Sequence, residues 1–469
     1  MLFNTPIFFL FFATFFILYS FVFLKRFPRL LLILVSSLVF YAGWNYRFIP
    51  LLVFSAVVDY FLAIAIHKAT DARSRKLLLT ASIVTNLGIL ATFKYADFAM
   101  TSVIELLSMF GYQASWPVLA LVLPVGISFY TFQSMSYTID VYRGDMEPRR
   151  GLLQFTAALA FFPQLVAGPI LRARQILPQL ETLPTATWSG AKHGLVLFTF
   201  GLFKKTIADL LPGLVSAAFD GGSPVSVLET WTGVLAFAAQ IYGDFSGYTD
   251  MAIGVGLMLG FKIPINFRLP YFASSPVDFW RRWHISLSTW LRDYLYISLG
   301  GNRTRRYRNI LITMLLGGLW HGAAWTFVVW GFFHGGLIVL THQLSGSRLF
   351  KRFSDAKQWP VRLIKWACTF YLVLIGWVLF RAPDLDTAAT VLLRMHAFGP
   401  LPEAPMYEGI YFTLTVAALA IMHLVDWIVI RFSAGLERRR WLLWPLLVFV
   451  QFLCFLVGAP SDAFIYFQF

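Results

Sequence analysis

The chain has 469 residues, of which 58% are hydrophobic, 18% are aromatic and only 13% are charged. Soluble domains have about 25% charged residues, so this composition excludes a soluble globular protein and indicates one that crosses a membrane several times. The net charge of +15 fits nucleic-acid binding poorly, because the basic residues cluster in short loops between apolar runs, as in cytoplasmic loops facing anionic lipid.

The apolar runs predict an all-α polytopic membrane protein in which residues 1–469 form a single integral-membrane domain. The candidate spans are 5–24, 30–43, 48–66, 77–93, 116–135, 194–218, 230–256, 365–381, 410–431 and 441–458. The first run is too long for a signal peptide and lacks a basic leader, so we expect it to be a span. Basic clusters such as Lys25, Arg26 and Arg29 mark the cytoplasmic loops, which puts both termini in the periplasm and residues 261–308 in the cytoplasm.

One predicted span, 194–218, carries Lys204 and Lys205 in its middle. Lys205 has the i, i+4 spacing that allows an ion pair with Asp209 on one face of a helix. Two interpretations stay open, because the lysines either face a cavity or place part of this segment at the membrane interface.

Two apolar stretches, 151–169 and 310–341, conflict with the alternation of basic loops because both have basic residues on each side. The second stretch would be about 48 Å long as one straight helix. Broken or re-entrant helices explain both, and such backbone is tolerated at membrane depth only inside protein or beside water. We therefore expect both stretches to line a central tunnel, with the second interrupted near Gly317 and Gly318.

The stretch 310–341 contains His321 and His334. Counted from Ile310, His321 lies about 16 Å along a helix, near the middle of a ~30 Å hydrocarbon core. An ionisable residue at that depth is costly and usually functional, although a hydrogen bond to a neighbouring helix is the alternative. In an unbroken helix His334 points about 220° away from His321, so we expect it to have a packing or hydrogen-bonding role.

Residues 274–308 form the most informative polar region, which we interpret as a cytoplasmic interfacial helix followed by a basic loop. Ser275, Pro276 and Asp278 predict its start, and glycines at 300–301 predict its end. Its arginines either contact lipid phosphates or bind a phosphate-bearing donor such as coenzyme A. The candidate donor-binding residues are Arg281, Arg282, Trp283 and Arg292. The residue pattern alone leaves the role of His284 open.

Polar side chains also occur inside the apolar runs around 123–143 and 242–254. Buried carboxylates in lipid need partners, so structural hydrogen bonding is expected for most of them, with channel lining as the alternative. The candidate tunnel-lining residues are Ser128, Gln133, Asp244, Ser246, Trp320 and Trp325. The sequence contains neither a GxSxG elbow nor an HExxH motif, so we expect no serine nucleophile and no metal site.

Several motifs together resemble the membrane-bound O-acyltransferase (MBOAT) family. They are LPVGISFYTFQ (123–133), FFPQLVAGPI (161–170), GDFSGYTDMAIG (243–254), FWRRWHISLSTWLRDYLYI (279–297) and LWHGAAWTFVVWG (319–331). The final SDAFIYFQF (461–469) resembles the branch that contains alginate O-acetyltransferase membrane subunits. The resemblance implies that His321 is the catalytic histidine and that His284 is a second motif histidine.

The same resemblance implies transfer of an acetyl group from a cytoplasmic thioester, acetyl-CoA or an acylated carrier, towards an exported polysaccharide such as alginate. It further implies a bacterial inner-membrane location and a periplasmic acetyltransferase partner. It implies no bound cofactor and no nucleic-acid partner. A neutral imidazole at His321 suits this chemistry as the base that deprotonates an acceptor hydroxyl. The alternatives are D-alanyl transfer to teichoic acid, acyl transfer to lipid, a secondary transporter, or a non-enzymatic secretion subunit.

Overall fold

A computed structural model describes residues 1–458 except 114, 118, 150, 221–225, 398–405 and 437–439. All regular secondary structure within these ranges is helical, which confirms the predicted all-α class. The motif at 461–469 lies outside the described residues. By contacts, the chain divides into two compact units, Met1–Gly194 with Ala252–Pro264, and the described part of Leu195–Met251 with Ile265–Phe469. The prediction of a single domain is left untested by this division.

The helices up to residue 182 all belong to the first unit. They are α1 (Pro6–Ile17), α2 (Arg26–Asn45), α3 (Ile49–Lys68), α4 (Ala72–Met109), α5 (Ile127–Arg143), α6 (Leu152–Leu159), α7 (Phe162–Leu165) and α8 (Ala173–Thr182). A π-helical turn, Leu18–Val22, extends α1. In this unit the carboxylate of Asp59 on α3 accepts hydrogen bonds from Ser82 and Asn86 of α4 and from Ser134 of α5, so one buried acid joins three helices.

The remaining helices follow in chain order. They are α9 (Trp188–Asp209), α10 (Pro212–Phe219), α11 (Val227–Met258), α12 (Pro276–Trp280), α13 (Ile285–Trp290), α14 (Arg306–His321), α15 (Trp325–Leu344), α16 (Arg348–Asp355), α17 (Trp359–Arg381), α18 (Leu385–Met395), α19 (Met406–Leu436) and α20 (Arg440–Val457). A π-helical segment, Leu291–Tyr296, continues α13.

Within the described ranges, five helical segments are long and apolar enough to cross a membrane. They are Arg26–Lys68, Ala72–Met109, Trp325–Leu344, Trp359–Arg381 and Glu408–Arg431, and two shorter apolar segments are Pro6–Val22 and Trp444–Val457. The protein is therefore a multi-pass membrane protein, while the number of ten spans stays a prediction.

Two predicted spans have different boundaries in the structure. The span 116–135 is wrong in its first half, because helix α5 begins only at Ile127, after Pro124 and a left-handed Gly126 with φ of 75°. A Cβ atom on Gly126 would lie 2.3 Å from the carbonyl oxygen of Leu165, so the close approach requires glycine. The segment 194–218 is two helices, because α9 ends at Asp209 and Pro212 starts α10.

Both stretches that were predicted to be broken are broken. Residues 151–169 contain α6 and α7 separated at Ala160 and Phe161. The break in 310–341 lies at 322–324, however, so the predicted position near Gly317 and Gly318 is wrong. Those glycines are helical, and Gly318 serves packing instead, since a Cβ atom there would lie 2.2 Å from the carbonyl oxygen of Phe327 on α15. Helices α14 and α15 thus form a closely packed hairpin.

The region 274–308 is interrupted, so the prediction of one interfacial helix is wrong. Its start is as predicted, because Ser275 Oγ accepts the backbone N–H of Asp278 and Pro276 is the first helical residue. Helix α12 nevertheless ends at Trp280, and α13 begins after His284, whose φ of 43° is left-handed. The helical periodicity of the sequence continues through this turn, so the sequence pattern did not predict the turn.

Candidate active site

The structure brings together the two motif histidines, His284 and His321. Their ring centroids are 6.4 Å apart, and both side chains are buried, with 0% and 4% exposure. Trp320 contacts both rings, at 5.9 Å from His284 and 5.1 Å from His321. The two imidazoles therefore belong to one aromatic cluster, although His284 lies in a turn and His321 at the end of a helix.

His321 is the last residue of α14, immediately before the break of the hairpin. Its ring packs edge-on against Trp330 of α15 at 5.1 Å and against Phe380 of α17 at 5.2 Å. The helix break is thus the feature that places this imidazole at an end of a helix, with three aromatic rings to hold its orientation.

His284 lies in the turn between α12 and α13, and hydrogen bonds to Asn266 stabilise this turn. The backbone N–H of Ile285 donates to the backbone oxygen of Asn266 at 2.9 Å, and that of Ser286 donates to Asn266 Oδ1 at 3.0 Å. Asn266 Oδ1 also lies 3.3 Å from His284 Nδ1. Sequence reasoning missed Asn266, whose only local signal is a polar residue within the apolar run IPINF.

A cavity of about 610 Å³ opens onto His321. Its walls come from α12 to α15 and the segments between them, and its charged and aromatic lining includes Trp280, Arg281, Arg292, Arg306, Trp330 and His342. Three guanidinium groups around one cavity suit a phosphate-bearing ligand, because each offers several donors in a fixed plane. The cavity and His321 thus combine an anion-binding wall with a candidate base.

The four predicted donor-binding residues divide into two pairs. Arg281 and Arg292 line the cavity. Arg282 is instead held by an ion pair with Asp278 at 2.9 Å, and Trp283 is buried, with its ring 4.8 Å from that of Trp377. The cavity therefore favours Arg281 and Arg292 as donor contacts.

Among the predicted tunnel-lining residues, Trp320 contacts both histidines, whereas Trp325 is 51% exposed at the start of α15. Asp244 pairs with Lys205 at 2.7 Å, and Ser246 is buried in α11.

In the other unit, Ser128 is buried, and Gln133 bonds the carbonyl oxygen of Ala158 and the side chain of Gln164. Structural hydrogen bonding is therefore found for Gln133 and for Asp244, while the tunnel itself stays a prediction.

His334 packs among aromatic rings, as expected. Its centroid lies 4.8 Å from that of Trp330, 5.2 Å from Trp280 and 6.2 Å from Phe279. The helical-phase argument behind this expectation fails, since the helix is broken between the two histidines. Trp330 contacts both His321 and His334, so a single indole ring links the two histidines.

His321, one of the two buried imidazoles, lines the arginine-lined cavity and can perform proton transfer on a ligand bound there. Burial lowers the pKa of His284, which lies outside the spanning helices, to about 3, so this ring is neutral at physiological pH. A neutral imidazole can accept a proton from a hydroxyl group, which is the step that an acyl acceptor requires.

Comparison with known proteins agrees with this chemistry. The family model for MBOAT, the membrane-bound O-acyltransferase family, matches residues 149–381, a range that includes both histidines. The chain is 43% identical over 402 residues to the "Probable alginate O-acetylase AlgI" of Azotobacter vinelandii, covering 85% of this chain and 78% of that protein. It is 38% identical over 430 residues to the peptidoglycan O-acetyltransferase of Helicobacter pylori, covering 84% and 80% of the two chains.

A more distant similarity links the chain to the teichoic acid D-alanyltransferase of Streptococcus thermophilus. The two are 29% identical over 282 residues, which are 55% of this chain and 68% of that protein. The identity and extent of these matches show that this chain is an O-acyltransferase and belongs to the membrane-bound O-acyltransferase family.

Proposed function

We propose that this protein transfers acetyl groups from a cytoplasmic thioester towards an exported polysaccharide such as alginate, with His321 and His284 as its catalytic pair. The observation that carries the proposal is the juxtaposition of the two buried imidazoles, one of which opens onto the arginine-lined cavity. The names of the relatives with 38–44% identity support acetyl as the acyl group and a polysaccharide as the final acceptor.

His321 acts as the general base in the proposed reaction. It takes the proton of an acceptor hydroxyl while the hydroxyl oxygen forms a bond to the acetyl carbonyl carbon. The bond between that carbon and the donor sulfur then breaks, and the departing thiolate receives the proton from the imidazolium. The acetyl group is thus moved from sulfur to oxygen without any oxidation or reduction, and a thioester supplies the activated acyl group.

The donor in this proposal is acetyl-CoA, bound with its phosphates against Arg281, Arg292 and Arg306 in the cavity. An acylated carrier protein is the competing donor, since its prosthetic arm also carries a phosphate. The location is the bacterial inner membrane with the cavity towards the cytoplasm, and a periplasmic acetyltransferase completes the transfer to polysaccharide.

D-alanyl transfer to teichoic acid is the competing reaction within the family, and the weaker similarity to D-alanyltransferases makes it second choice. The test is deletion of the gene and complementation with the intact protein, followed by NMR of the purified exopolysaccharide. We expect O-acetyl esters to disappear on deletion and to return on complementation. Unchanged acetyl content with a loss of D-alanyl esters from the envelope would contradict acetyl transfer.

Charge reversal at two adjacent arginines tests the donor site. We expect Arg281→Glu to raise the donor KM about 10-fold or more, because it removes a charge-assisted hydrogen bond to phosphate and adds a repulsive charge. Arg282→Glu is the matched control, since it makes the same charge change at a residue that pairs with Asp278. The measurement is donor-dependent acetyl transfer by purified protein, with acetyl-CoA and an acetylated carrier compared. Equal donor KM values for the wild type and Arg281→Glu would mean that the arginines only contact lipid.

A further inference from the structure

The backbone at His284 is in a conformation that residues other than glycine rarely adopt. Its φ of 43° is in the left-handed region, which is unfavourable for an L-residue because Cβ comes too close to the following carbonyl oxygen. Such a residue persists only where surrounding structure holds it, and these sites cluster where a protein performs its function. Neighbouring residues must therefore hold the backbone of His284 in this conformation.

The segment around Asn266 fastens the turn on both sides of His284. Before the histidine, the backbone N–H of Arg268 donates to the backbone oxygen of Arg282 at 3.0 Å. After it, the backbone N–H of Ile285 donates to the backbone oxygen of Asn266 at 2.9 Å. These two bonds fix the direction in which the Cα–Cβ bond of His284 points.

The side chain of Asn266 fixes a second property of His284, the position of its proton. Asn266 Oδ1 accepts the backbone N–H of Ser286 at 3.0 Å and the Ser286 hydroxyl at 2.9 Å, and it lies 3.3 Å from His284 Nδ1. A backbone N–H can only donate, so the amide atom facing it must be the oxygen rather than the nitrogen. An amide oxygen can only accept, so His284 Nδ1 must carry the proton and Nε2 must carry the lone pair.

We infer that Asn266 is a positioning residue of the transferase, and that it holds His284 in the tautomer whose Nε2 is presented to the site as a hydrogen-bond acceptor. The tautomer of His284 follows from the hydrogen bonds alone, whereas the role of the Nε2 lone pair in catalysis rests on the proposed function. With Nε2 unprotonated, His284 accepts the hydrogen bond of a substrate hydroxyl group beside His321, so that both imidazoles act on one acceptor.

The bonding of Asn266 differs from that of an asparagine that serves structure alone. Its Nδ2 is buried and has no hydrogen-bond partner among the described residues, which is unfavourable for a buried donor. Asn309, equally buried, uses both ends, because its Nδ2 donates to the carbonyl oxygens of Gly301 and Thr304 and its Oδ1 accepts from Arg308. The contribution of Asn266 at this position therefore comes from its side-chain oxygen, since its side-chain nitrogen makes no hydrogen bond among the described residues.

Two substitutions separate positioning from simple stabilisation. Asn266→Asp keeps an oxygen that accepts from Ser286 and from His284 Nδ1, so we expect it to retain transfer activity. Asn266→Leu has no acceptor, so we expect kcat/KM to fall about 100-fold, in the range that loss of one positioned acid–base group produces. Asn309→Leu is the structural control, and it should lower thermal stability and protein abundance without altering the pH profile of the folded fraction.

The pH profile of Asn266→Asp provides a readout that a structural role would not change. A carboxylate beside Nδ1–H stabilises the imidazolium, which raises the pKa of His284. Because transfer needs the neutral ring, activity should be lost at a higher pH on acidification than in the wild type. The ring contacts of His284 include Phe245, Trp320 and His321, so a nitrogen-15 NMR titration of the individual histidines serves to assign the shift to His284.

Nitrogen-15 NMR of histidine-labelled protein tests the tautomer without any substrate. With His284→Gln used for assignment, we expect Nδ1 to be the protonated nitrogen in the wild type and this preference to be lost in Asn266→Leu. A protonated Nε2 in the wild type would overturn the inference, as would wild-type kcat/KM in Asn266→Leu. If the wild type transfers no acetyl group while the NMR result holds, the proposed function fails and the positioning role stands.

Discussion

His321→Ala should abolish acyl transfer while leaving the protein folded and inserted. The buried imidazole lies at the end of α14 beside the cavity, where donor and acceptor have to meet. Positioned proton transfer contributes about 10²–10⁴-fold in rate, so the residual rate should be lower by that factor. The measurement is polysaccharide acetyl content in cells that express the variant, normalised to its amount in the membrane.

His334→Ala is the matched control for this substitution. His334 is equally buried on the adjacent helix and packs on the same Trp330 ring as His321. We expect a milder loss of acetylation that follows protein abundance, because the change removes aromatic packing. Near-normal acetylation by His321→Ala, or complete loss confined to His334→Ala, would show that the wrong histidine has been assigned as the base.

Lys204→Met should strongly destabilise the protein. The ammonium group of Lys204 pairs with Asp250 of α11 at 2.6 Å and with Asp426 of α19 at 2.8 Å, and the side chain is 1% exposed. Removing one partner of a buried ion pair costs about 3–5 kcal/mol, because the remaining charge is left without compensation. Here two carboxylates would be left, and Asp426 would still accept a hydrogen bond from the neutral hydroxyl group of Tyr242.

Thermal unfolding in detergent, followed by size-exclusion chromatography, measures this effect. Lys192→Met is the control on the same helix, because Lys192 contacts the ring of Trp188 at 5.2 Å, an interaction that is worth less than a buried ion pair. Adding Asp250→Asn and Asp426→Asn to Lys204→Met should recover part of the stability. An unfolding temperature of Lys204→Met equal to that of the control would show that the network contributes little.

The features that could be predicted from the sequence are those set by local chemistry. The start of α12 follows from the side-chain bond of Ser275 and the fixed φ of Pro276, and both act within four residues. The ion pair of Lys205 with Asp209 follows from helical spacing alone. The break in 310–341 also follows from a simple quantity, since the stretch is longer than a bilayer requires.

The features that could not be predicted depend on distant parts of the chain. Glycine is compatible both with a helix break and with close helix packing. Gly318 and Gly322 both lie close to Phe327, so the sequence alone did not show that Gly318 stays helical while Gly322 starts the break. The turn at His284 continues a helical pattern in sequence and is stabilised by Asn266, 18 residues earlier. No local sequence rule connects those two residues, and for that reason the sequence did not predict Asn266 as a partner of His284.

The end of α14 has an electrostatic consequence for the proton that His321 receives in the proposed reaction. The last carbonyl groups of a helix lack intrahelical partners, and the aligned peptide dipoles place about half a negative charge there. His321 is the final residue of a 16-residue helix, so the imidazolium ion that forms during transfer lies at this negative end. A cation at a helix C-terminus is stabilised by about 0.3–1 kcal/mol, and by more where the site is partly buried. The break in the hairpin therefore turns the macrodipole of α14 into a fixed counter-charge that costs no further reorganisation when the proton arrives.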